Sequence, residues 1–287
     1  MRIVIIGATG QLGTDLVEIL SREDLILFTR SDLDIRGAVQ VRQALVHAKP
    51  DIVINTAAFN RVDDCEDDPV EAFAVNAYGA RNLALVCADL DRPLMHLSTD
   101  YVFGGEKATP YLEDDAPNPL SVYGVSKLGG EYFVRNLCPK HFVVRTSGLY
   151  GKAGSRGKGG NFVETMLRLA GEGKPIRVVD DQVLTPTYTR DLATTLAGLA
   201  QTNAYGVYHI TSRGQCSWYD FAAKIFLFLG LKAELTPTTA KEFGAKASRP
   251  AYSVLAQTKL EPLGIGNLPT WEDALRRYLI AKGHLRT

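Results

Sequence analysis

The stretch RIVIIGATGQLG at residues 2–13 decides the fold class of this chain. Residues 3–6 are a run of β-branched apolar side chains, as in a strand that is buried on both faces. The glycines that follow have the spacing Gly7-x-x-Gly10-x-x-Gly13 and open a predicted helix. Such glycines permit a tight turn, the approach of a pyrophosphate to the helix N-terminus, and close packing of helix on sheet. The stretch predicts a dinucleotide-binding turn, and a tight turn without a ligand is the alternative.

Short apolar runs and amphipathic stretches alternate through the first half of the chain. Strands are predicted at residues 3–6, 25–28, 51–55, 93–98 and 142–145. Helices are predicted between them at residues 12–20, 38–48, 70–90 and 122–136. This alternation predicts an α/β fold, with a Rossmann-type doubly wound parallel sheet and right-handed crossovers.

The second half of the chain differs from the first in composition and in its pattern of apolar residues. Six glycines and three basic residues crowd residues 148–160, which predicts a loop. Residues 235–262 are expected to be irregular, because Pro, Thr and Ser are scattered through them. We therefore expect a dinucleotide-binding domain at 1–150. Residues 151–287 would form mainly a smaller C-terminal substrate lobe, with some segments returning to the first domain.

The composition narrows the classes of partner. Lys+Arg and Asp+Glu both number 32, so the net charge of zero gives no electrostatic reason to expect nucleic acid. We expect no membrane association and a cytoplasmic location, since no apolar run approaches ~20 residues and the N-terminus lacks a signal-peptide pattern. The four dispersed cysteines form no Cys-x-x-Cys and predict reduced thiols. No metal site is predicted, and the acidic run at 63–68 is expected to lie at the start of a helix.

The residues after the second predicted strand bear on the choice of cofactor. An acidic residue at the end of this strand would bond the ribose hydroxyl of NAD. Here the strand runs into Arg30, and the first carboxylate is that of Asp32. Arg30 favours NADPH, because its guanidinium can pair with a 2′-phosphate, with NADH as the alternative. A solvated surface cation is the other interpretation of Arg30. Asp34 and Ile35 are expected near the adenine.

Three side chains can deliver a proton beside such a cofactor. Tyr123 and Lys127 are four residues apart on a predicted helix, so they share one face. A nearby ammonium favours the phenolate, and we expect Lys127 to lower the pKa of Tyr123. Thr99 ends the fourth predicted strand, where open α/β sheets bind ligands. The three residues predict catalytic protonation of a substrate ketone.

Over nearly its whole length the chain resembles the extended short-chain dehydrogenase/reductases, and within them the branch that reduces 4-keto sugar nucleotides. The resemblance is carried by GATGQLG at 7–13, DIVINTAAFNRVDDCE at 51–66, LSTDYVFGG at 97–105, PLSVYGVSKLGGE at 119–131, VVRTSGLYG at 143–151 and ASRPAYSVL at 247–255. It implies NAD(P)H-dependent reduction of the 4-keto group of dTDP-4-dehydro-L-rhamnose to dTDP-L-rhamnose. A small-molecule nucleotide sugar is the implied partner, and a homodimer is a possible assembly.

The motifs and the resemblance together predict the residues of the site. Thr99, Tyr123 and Lys127 would be catalytic. The expected cofactor contacts are Gly7, Gly10, Gln11, Leu12, Gly13, Arg30, Asp34, Ile35, Ala57, Ala58, Phe59, Tyr123 and Lys127. The expected substrate contacts are Thr99, Asp100, Asn161 and Arg249, although Arg249 also reads as a surface cation. The chain departs from the family at Gly148, where a tryptophan is common, and at Tyr252, where an asparagine is common.

Two other functions remain open at this point. A related epimerase or dehydratase would keep and recycle its cofactor. A dehydratase usually has Asp-Glu directly after the threonine, whereas here Asp100 is followed by Tyr101, which argues for reduction. A non-catalytic NADP-binding regulatory subunit is the third interpretation, and the intact Thr99, Tyr123 and Lys127 set argues against it.

Overall fold

The computed structural model of the chain describes residues 1–154, 160–265 and 268–286. The elements of its first half are β1 Arg2–Ile6, α1 Gln11–Ile19, β2 Asp24–Phe28, α2 Ala38–Ala48, β3 Ile52–Asn55, α3 Val62–Asp67, α4 Pro69–Phe73, α5 Ala80–Asp89, β4 Leu94–Thr99, α6 Val122–Leu137 and β5 His141–Thr146. A π-helical turn, Ala74–Gly79, joins α4 to α5. The helix predicted at 70–90 is therefore two α-helices joined by a turn of different hydrogen-bond period.

The second half adds shorter strands and five more helices among the described residues. Its elements are β6 Leu149–Tyr150, α7 Phe162–Gly171, β7 Ile176–Val179, β8 Val183–Leu184, β9 Thr187–Tyr188, α8 Thr189–Leu199, β10 Gly206–His209, β11 Cys216–Ser217, α9 Trp218–Leu229, β12 Leu235–Thr238, α10 Ala240–Phe243 and α11 Trp271–Ala281. The expectation that 235–262 is wholly irregular is wrong, because β12 pairs in parallel with β7. The strand was not predicted because it contains Pro237, although proline is tolerated at the edge of a sheet. Part of the loop predicted at 148–160 lies outside the described residues.

Six parallel strands form the central sheet, in the order β10-β5-β4-β3-β1-β2. This arrangement confirms the predicted Rossmann-type doubly wound sheet. The chain moves from β1 to β2 on one side and then returns to place β3 on the other side of β1. Such a reversal leaves a crevice beyond the carboxyl ends of β1 and β3.

Both faces of the sheet are buried, as the unbroken apolar strands predict. Ile3 and Ile5 of β1 point into a core shared with α1 and α8, whereas Val4 and Ile6 point into a core shared with α2 and α5. Strand β10 and helix α8 come from the second half of the chain but complete the sheet and its covering layer. The division into domains at residue 150 stays a prediction.

A separate aromatic core holds the rest of the second half together. Tyr150, Tyr188, Phe221, Trp271 and Tyr278 are all buried there. Ring pairs such as Tyr150 and Tyr188, with centroids 5.8 Å apart, link β6 to β9. None of the described helices combines the length and apolarity needed to cross a bilayer.

Candidate active site

A cavity of about 1060 Å³ opens beyond the carboxyl ends of the central strands. Most of the residues predicted for the site line it, namely Gly7, Gly10, Gln11, Leu12, Arg30, Asp34, Ile35, Ala57, Ala58, Phe59, Thr99, Asp100, Tyr123, Lys127 and Asn161. Gly13 and Arg249 do not line it. Residues that lie far apart in the sequence therefore share one continuous cavity.

The glycine turn forms one end of the cavity with backbone atoms. Gly7 adopts a φ of +83°, and a Cβ there would lie 2.6 Å from the Thr56 hydroxyl oxygen. A Cβ on Gly13 would lie 2.2 Å from the carbonyl oxygen of Gly7, so Gly13 serves the packing of the turn. No side chain caps the N-terminus of α1 at Gly10. The free N–H groups of this first helical turn suit a phosphate.

Two arginines, Arg30 and Arg36, lie in the segment that follows β2. The Arg30 side chain is 80% exposed and 3.5 Å from the Glu71 carboxylate. Arg36 is a lining residue that the sequence reasoning missed, although it directly follows Asp34 and Ile35. Its guanidinium bonds Glu71 Oε2 at 2.6 Å and Asp34 Oδ1 at 2.9 Å, which lowers the pKa of the Asp34 carboxyl. Glu71 thus places two cations on one side of the cavity.

Asn76, in the π-helical turn, holds the loop that follows β3. Its side chain accepts a hydrogen bond from the Phe59 N–H at 2.9 Å and donates one to the Phe59 carbonyl at 3.0 Å. It also donates to the Ser126 hydroxyl on α6 at 3.0 Å. This single buried amide therefore ties the Ala57–Ala58–Phe59 wall of the cavity to the helix that carries Tyr123 and Lys127.

The residues predicted to deliver a proton meet where β4 ends and α6 begins. Thr99 is the last residue of β4, and Ser121 caps α6 so that Tyr123 falls in its first turn. Lys127 follows one turn later and is 2% exposed, with its Nζ donating to the Leu97 carbonyl at 2.6 Å. Burial lowers the pKa of Lys127 to about 8. Thr99, Tyr123 and Lys127 thus face the same cavity, as their spacing predicts.

The acidity of Tyr123 corrects a prediction. Burial raises the pKa of the Tyr123 phenol, with the nearby Asp100 carboxylate acting in the same direction and the Thr99 hydroxyl against them. The expectation that Lys127 lowers this pKa is wrong for this structure, because burial dominates and a four-residue spacing carries no information on burial. A neutral phenol is nevertheless the form that can give a proton to an alkoxide.

Asp100 is a buried carboxylate surrounded by hydroxyl groups. It accepts hydrogen bonds from Ser147 at 2.8 Å, from Ser253 at 2.6 Å and from Thr99 at 3.0 Å. Burial raises the pKa of Asp100, and the three hydroxyl groups oppose that shift. Asp100 therefore joins the ends of β4 and β5 to the segment at Ser253. It lines the cavity, and it was predicted to contact the substrate.

The two other predicted substrate contacts already have partners. Asn161 caps α7, and its amide donates to the Gly151 carbonyl and to the Tyr278 hydroxyl at 3.0 Å each. Arg249 pairs with Asp63 of α3, with Nη2 and Oδ2 2.8 Å apart. The acidic run therefore supplies an ion-pair partner to the second half of the chain. The structure does not bring Arg249 to the cavity surface.

An apolar wall completes the cavity on the side of the second half. Leu184, Phe162 and Trp218 line it, and the Phe162 and Trp218 ring centroids are 4.6 Å apart. Gly148 lies beside this wall with a φ of +55°, and a Cβ there would be 2.8 Å from Leu184 Cδ1. Sequence reasoning missed this wall, because its three residues come from separate elements.

The fold and the site together define an NAD(P)-binding protein of the short-chain dehydrogenase/reductase type. A family model described as "RmlD substrate binding domain" matches residues 1–283. The chain belongs to this family, which includes the dTDP-4-dehydrorhamnose reductases. The resemblance seen in the sequence motifs is therefore confirmed.

Individual relatives are similar over nearly the whole chain. The spore coat polysaccharide biosynthesis protein SpsK of Bacillus subtilis is 41% identical over 97% of this chain and 96% of its own length. The dTDP-4-dehydrorhamnose reductase of Streptomyces griseus is 40% identical over 96% of this chain and 91% of its own length. The crystal structure of dTDP-4-dehydrorhamnose reductase from Bacillus anthracis in complex with NADP superimposes with a TM-score of 0.93. It is 42% identical, over 98% of this chain and 99% of that one.

Proposed function

We propose that this protein reduces the 4-keto group of dTDP-4-dehydro-L-rhamnose to dTDP-L-rhamnose with NADPH. One observation carries the proposal: a single cavity joins the uncapped N-terminus of α1 to the hydroxyl groups of Thr99 and Tyr123. The first feature suits a dinucleotide pyrophosphate, and the second suits a carbonyl oxygen that must be protonated. Its known relatives include enzymes named for this reaction.

The chain's own residues fit the cofactor. The turn at Gly7 and Gly10 brings backbone to the cavity surface, and a Cβ at Gly7 would meet Thr56 Oγ1 at 2.6 Å. The buried Gln11 Oε1 and Thr146 Oγ1 have no hydrogen-bond partner among the described residues, and both residues line the cavity. Arg30 and Arg36 offer cations to a 2′-phosphate. Bound NADPH would supply the hydride for the reduction.

Protonation of the substrate is the task of the side chains. Tyr123 donates its phenolic proton to the oxygen at carbon 4. Thr99 polarises the carbonyl, for which its hydroxyl must turn away from Asp100, 3.0 Å distant. Asp100 tolerates this loss because Ser147 and Ser253 still donate to it. Lys127, one turn later on α6, would return a proton to Tyr123.

The test is an assay with purified protein, following nicotinamide absorbance with NADPH and NADH in parallel. We expect stoichiometric consumption of NADPH with dTDP-4-dehydro-L-rhamnose, and slower consumption with the unepimerised dTDP-4-keto-6-deoxy-D-glucose. Product formation without net NADPH consumption would identify an epimerase or dehydratase. Tight NADPH binding without turnover of either sugar would favour a regulatory subunit.

Three further expectations belong to this proposal. Residues 151–287 would contribute most of the nucleotide-sugar lobe, because Leu184, Phe162 and Trp218 come from them. A cytoplasmic location is proposed, where the buried thiols of Cys87, Cys138 and Cys216 would stay reduced. A homodimer is the proposed assembly. Cell fractionation and light scattering of the purified protein test the last two.

A further inference from the structure

His96 is a buried residue of β4 that stands between two elements of the site. Its Nδ1 is 3.0 Å from Asn55 Nδ2 on β3, and its Nε2 is 3.4 Å from Lys127 Nζ on α6. Both His96 and Asn55 are essentially inaccessible to solvent, and neither lines the cavity. Any influence of this pair on the reaction must therefore pass through Lys127.

The orientation of the Asn55 amide determines which ring nitrogen of His96 carries hydrogen. The Ala57 N–H donates to Asn55 Oδ1 at 3.1 Å, so the amide NH₂ must face the ring. An amide NH₂ can only donate, and His96 Nδ1 is therefore an acceptor without hydrogen. Burial lowers the pKa of His96 well below its usual value, which leaves a neutral ring with one proton. That proton must be on Nε2.

The Nε2–H of His96 points at the Lys127 amine, and this has a consequence for its charge. An ammonium group has three donors and no acceptor, so it would face the Nε2–H with a second donor. A neutral amine can accept from the ring with its lone pair and still donate to the Leu97 carbonyl, 2.6 Å away. The ammonium leaves the Nε2–H of His96 without an acceptor. Because buried polar groups rarely remain unpaired, this contact makes it easier for Lys127 to lose its proton.

The charged and titratable groups around Lys127 do not remove this preference. Glu131 lies one turn later on α6 and favours the ammonium. Its carboxylate is already bound by Arg145 of β5 at 2.7 Å and by the Ser98 hydroxyl of β4 at 2.5 Å. Tyr123, one turn earlier, has a neutral phenol. From the other elements packed on α6, the titratable groups of Asp100, Tyr101 and Cys65 raise the pKa of that phenol.

We propose that Asn55 and His96 are positioning residues: they direct the Nε2–H of His96 at Lys127 and so make this lysine release its proton more readily. The inference rests on the proposed function, in which Tyr123 protonates the alkoxide. The resulting phenolate is resupplied with a proton from Lys127, and solvent then returns a proton to the amine. One solvent proton thus replaces the one delivered to the product.

The first experiment reads the tautomer directly in the full chain bound to NADP⁺. Long-range ¹⁵N–¹H NMR of histidine-labelled protein distinguishes protonated from bare ring nitrogens, and His96→Gln identifies the His96 signals. We expect hydrogen on Nε2 and none on Nδ1 at neutral pH. Hydrogen on Nδ1, or on both nitrogens, would overturn the proposal. This measurement needs no substrate, so it stands apart from any failure of the proposed function.

The second experiment reverses the tautomer. In Asn55→Asp, a carboxylate accepts from Nδ1–H, so the bare Nε2 can accept from the Lys127 ammonium. We expect the titration of Lys127, followed by ¹³C NMR of lysine-labelled protein and assigned with Lys127→Met, to move up by about one pH unit or more. Asn82→Asp is the matched control. Its buried amide serves the carbonyls of Ile35 and Arg36, and we expect no such shift.

The His96→Leu background separates reorientation of the ring from the charge of the new carboxylate. Without the ring, Asn55→Asp should move the Lys127 titration by less than half as much. Equal shifts in both backgrounds would mean a direct charge effect and would contradict the proposal. Where the enzyme turns over, the pH optimum of kcat should follow the Lys127 titration in Asn55→Asp. If Asn55→Asp does not fold, the wild-type tautomer still decides the question.

Discussion

The two ends of the cavity are built on different principles. The nucleotide end is made of backbone, and its shape follows from close contacts within residues 7–13. The proton end is made of side chains from β4, β5 and α6 that are held by buried hydrogen bonds and one buried ion pair. The first end is therefore sensitive to added volume, whereas the second is sensitive to lost polar partners. Four substitutions test this contrast.

The largest effect is expected at the proton end, from Tyr123→Phe. Removing the hydroxyl deletes the proton donor, and we expect kcat to fall about 100- to 10,000-fold. The affinity for NADPH, measured by fluorescence titration, should stay near that of the wild type. Tyr132→Phe is the matched control, since Tyr132 is half exposed on the same helix. Near-normal turnover of Tyr123→Phe would show that another group donates the proton.

The ion pair beneath the proton end gives the next largest effect. Arg145 and Glu131 are at most 1% exposed, and Arg145→Met leaves the carboxylate buried without its cation. We expect the free energy of unfolding in urea to fall by about 3–5 kcal/mol. The exposed pair of Arg42 and Asp89 provides the control, because Arg42→Met should cost no more than about 1 kcal/mol. Similar losses in both variants would contradict the difference in burial.

Added volume at the nucleotide end should act differently. In Gly13→Ala the new Cβ would meet the Gly7 carbonyl oxygen at 2.2 Å, so the turn must deform. We expect a loss of about 1–3 kcal/mol in the free energy of unfolding, together with weaker NADPH binding. At saturating NADPH, kcat should be largely retained. Gly171→Ala, where a Cβ meets nothing within 4 Å, is the control for both measurements.

The smallest effect is expected from the cations at the end of β2. Arg36→Ala removes a partly exposed guanidinium, and we expect the preference for NADPH over NADH to fall about tenfold. The ratio of the two dissociation constants measures it. Arg22→Ala, at an exposed cation outside the cavity lining, should leave the ratio unchanged. An unchanged ratio in Arg36→Ala would assign 2′-phosphate recognition to other groups.

Local patterns predicted the elements but not all of their partners. The helix Ala38–Ala48 begins and ends as the sequence indicates, because amphipathic periodicity is a property of the segment alone. The strand Leu235–Thr238 was missed, since only its pairing with β7 makes it a strand. The place of strand β10 beside β5 likewise depends on contacts across more than 60 residues.

The candidate site divides in the same way. Thr99, Tyr123 and Lys127 could be named from the sequence, because strand ends and helical spacing place them on one edge of the sheet. Arg36 was missed, since its role depends on Glu71, 35 residues later. The apolar wall of Leu184, Phe162 and Trp218 had no local signal, because it exists only where three elements converge.

The amino-acid sequence by itself determined the parallel α/β frame, the glycine turn after β1 and the choice of Tyr123 as the proposed proton donor. These depend on the period of apolar residues and on glycine at defined positions, which neighbouring residues specify. The protonation states of the site residues depend on the tertiary structure alone. The neutral Tyr123, the lowered pKa of Lys127 and the tautomer proposed for His96 all depend on burial and on partners such as Asn55. Burial depends on how the whole chain packs, so it cannot be predicted from a short stretch of sequence.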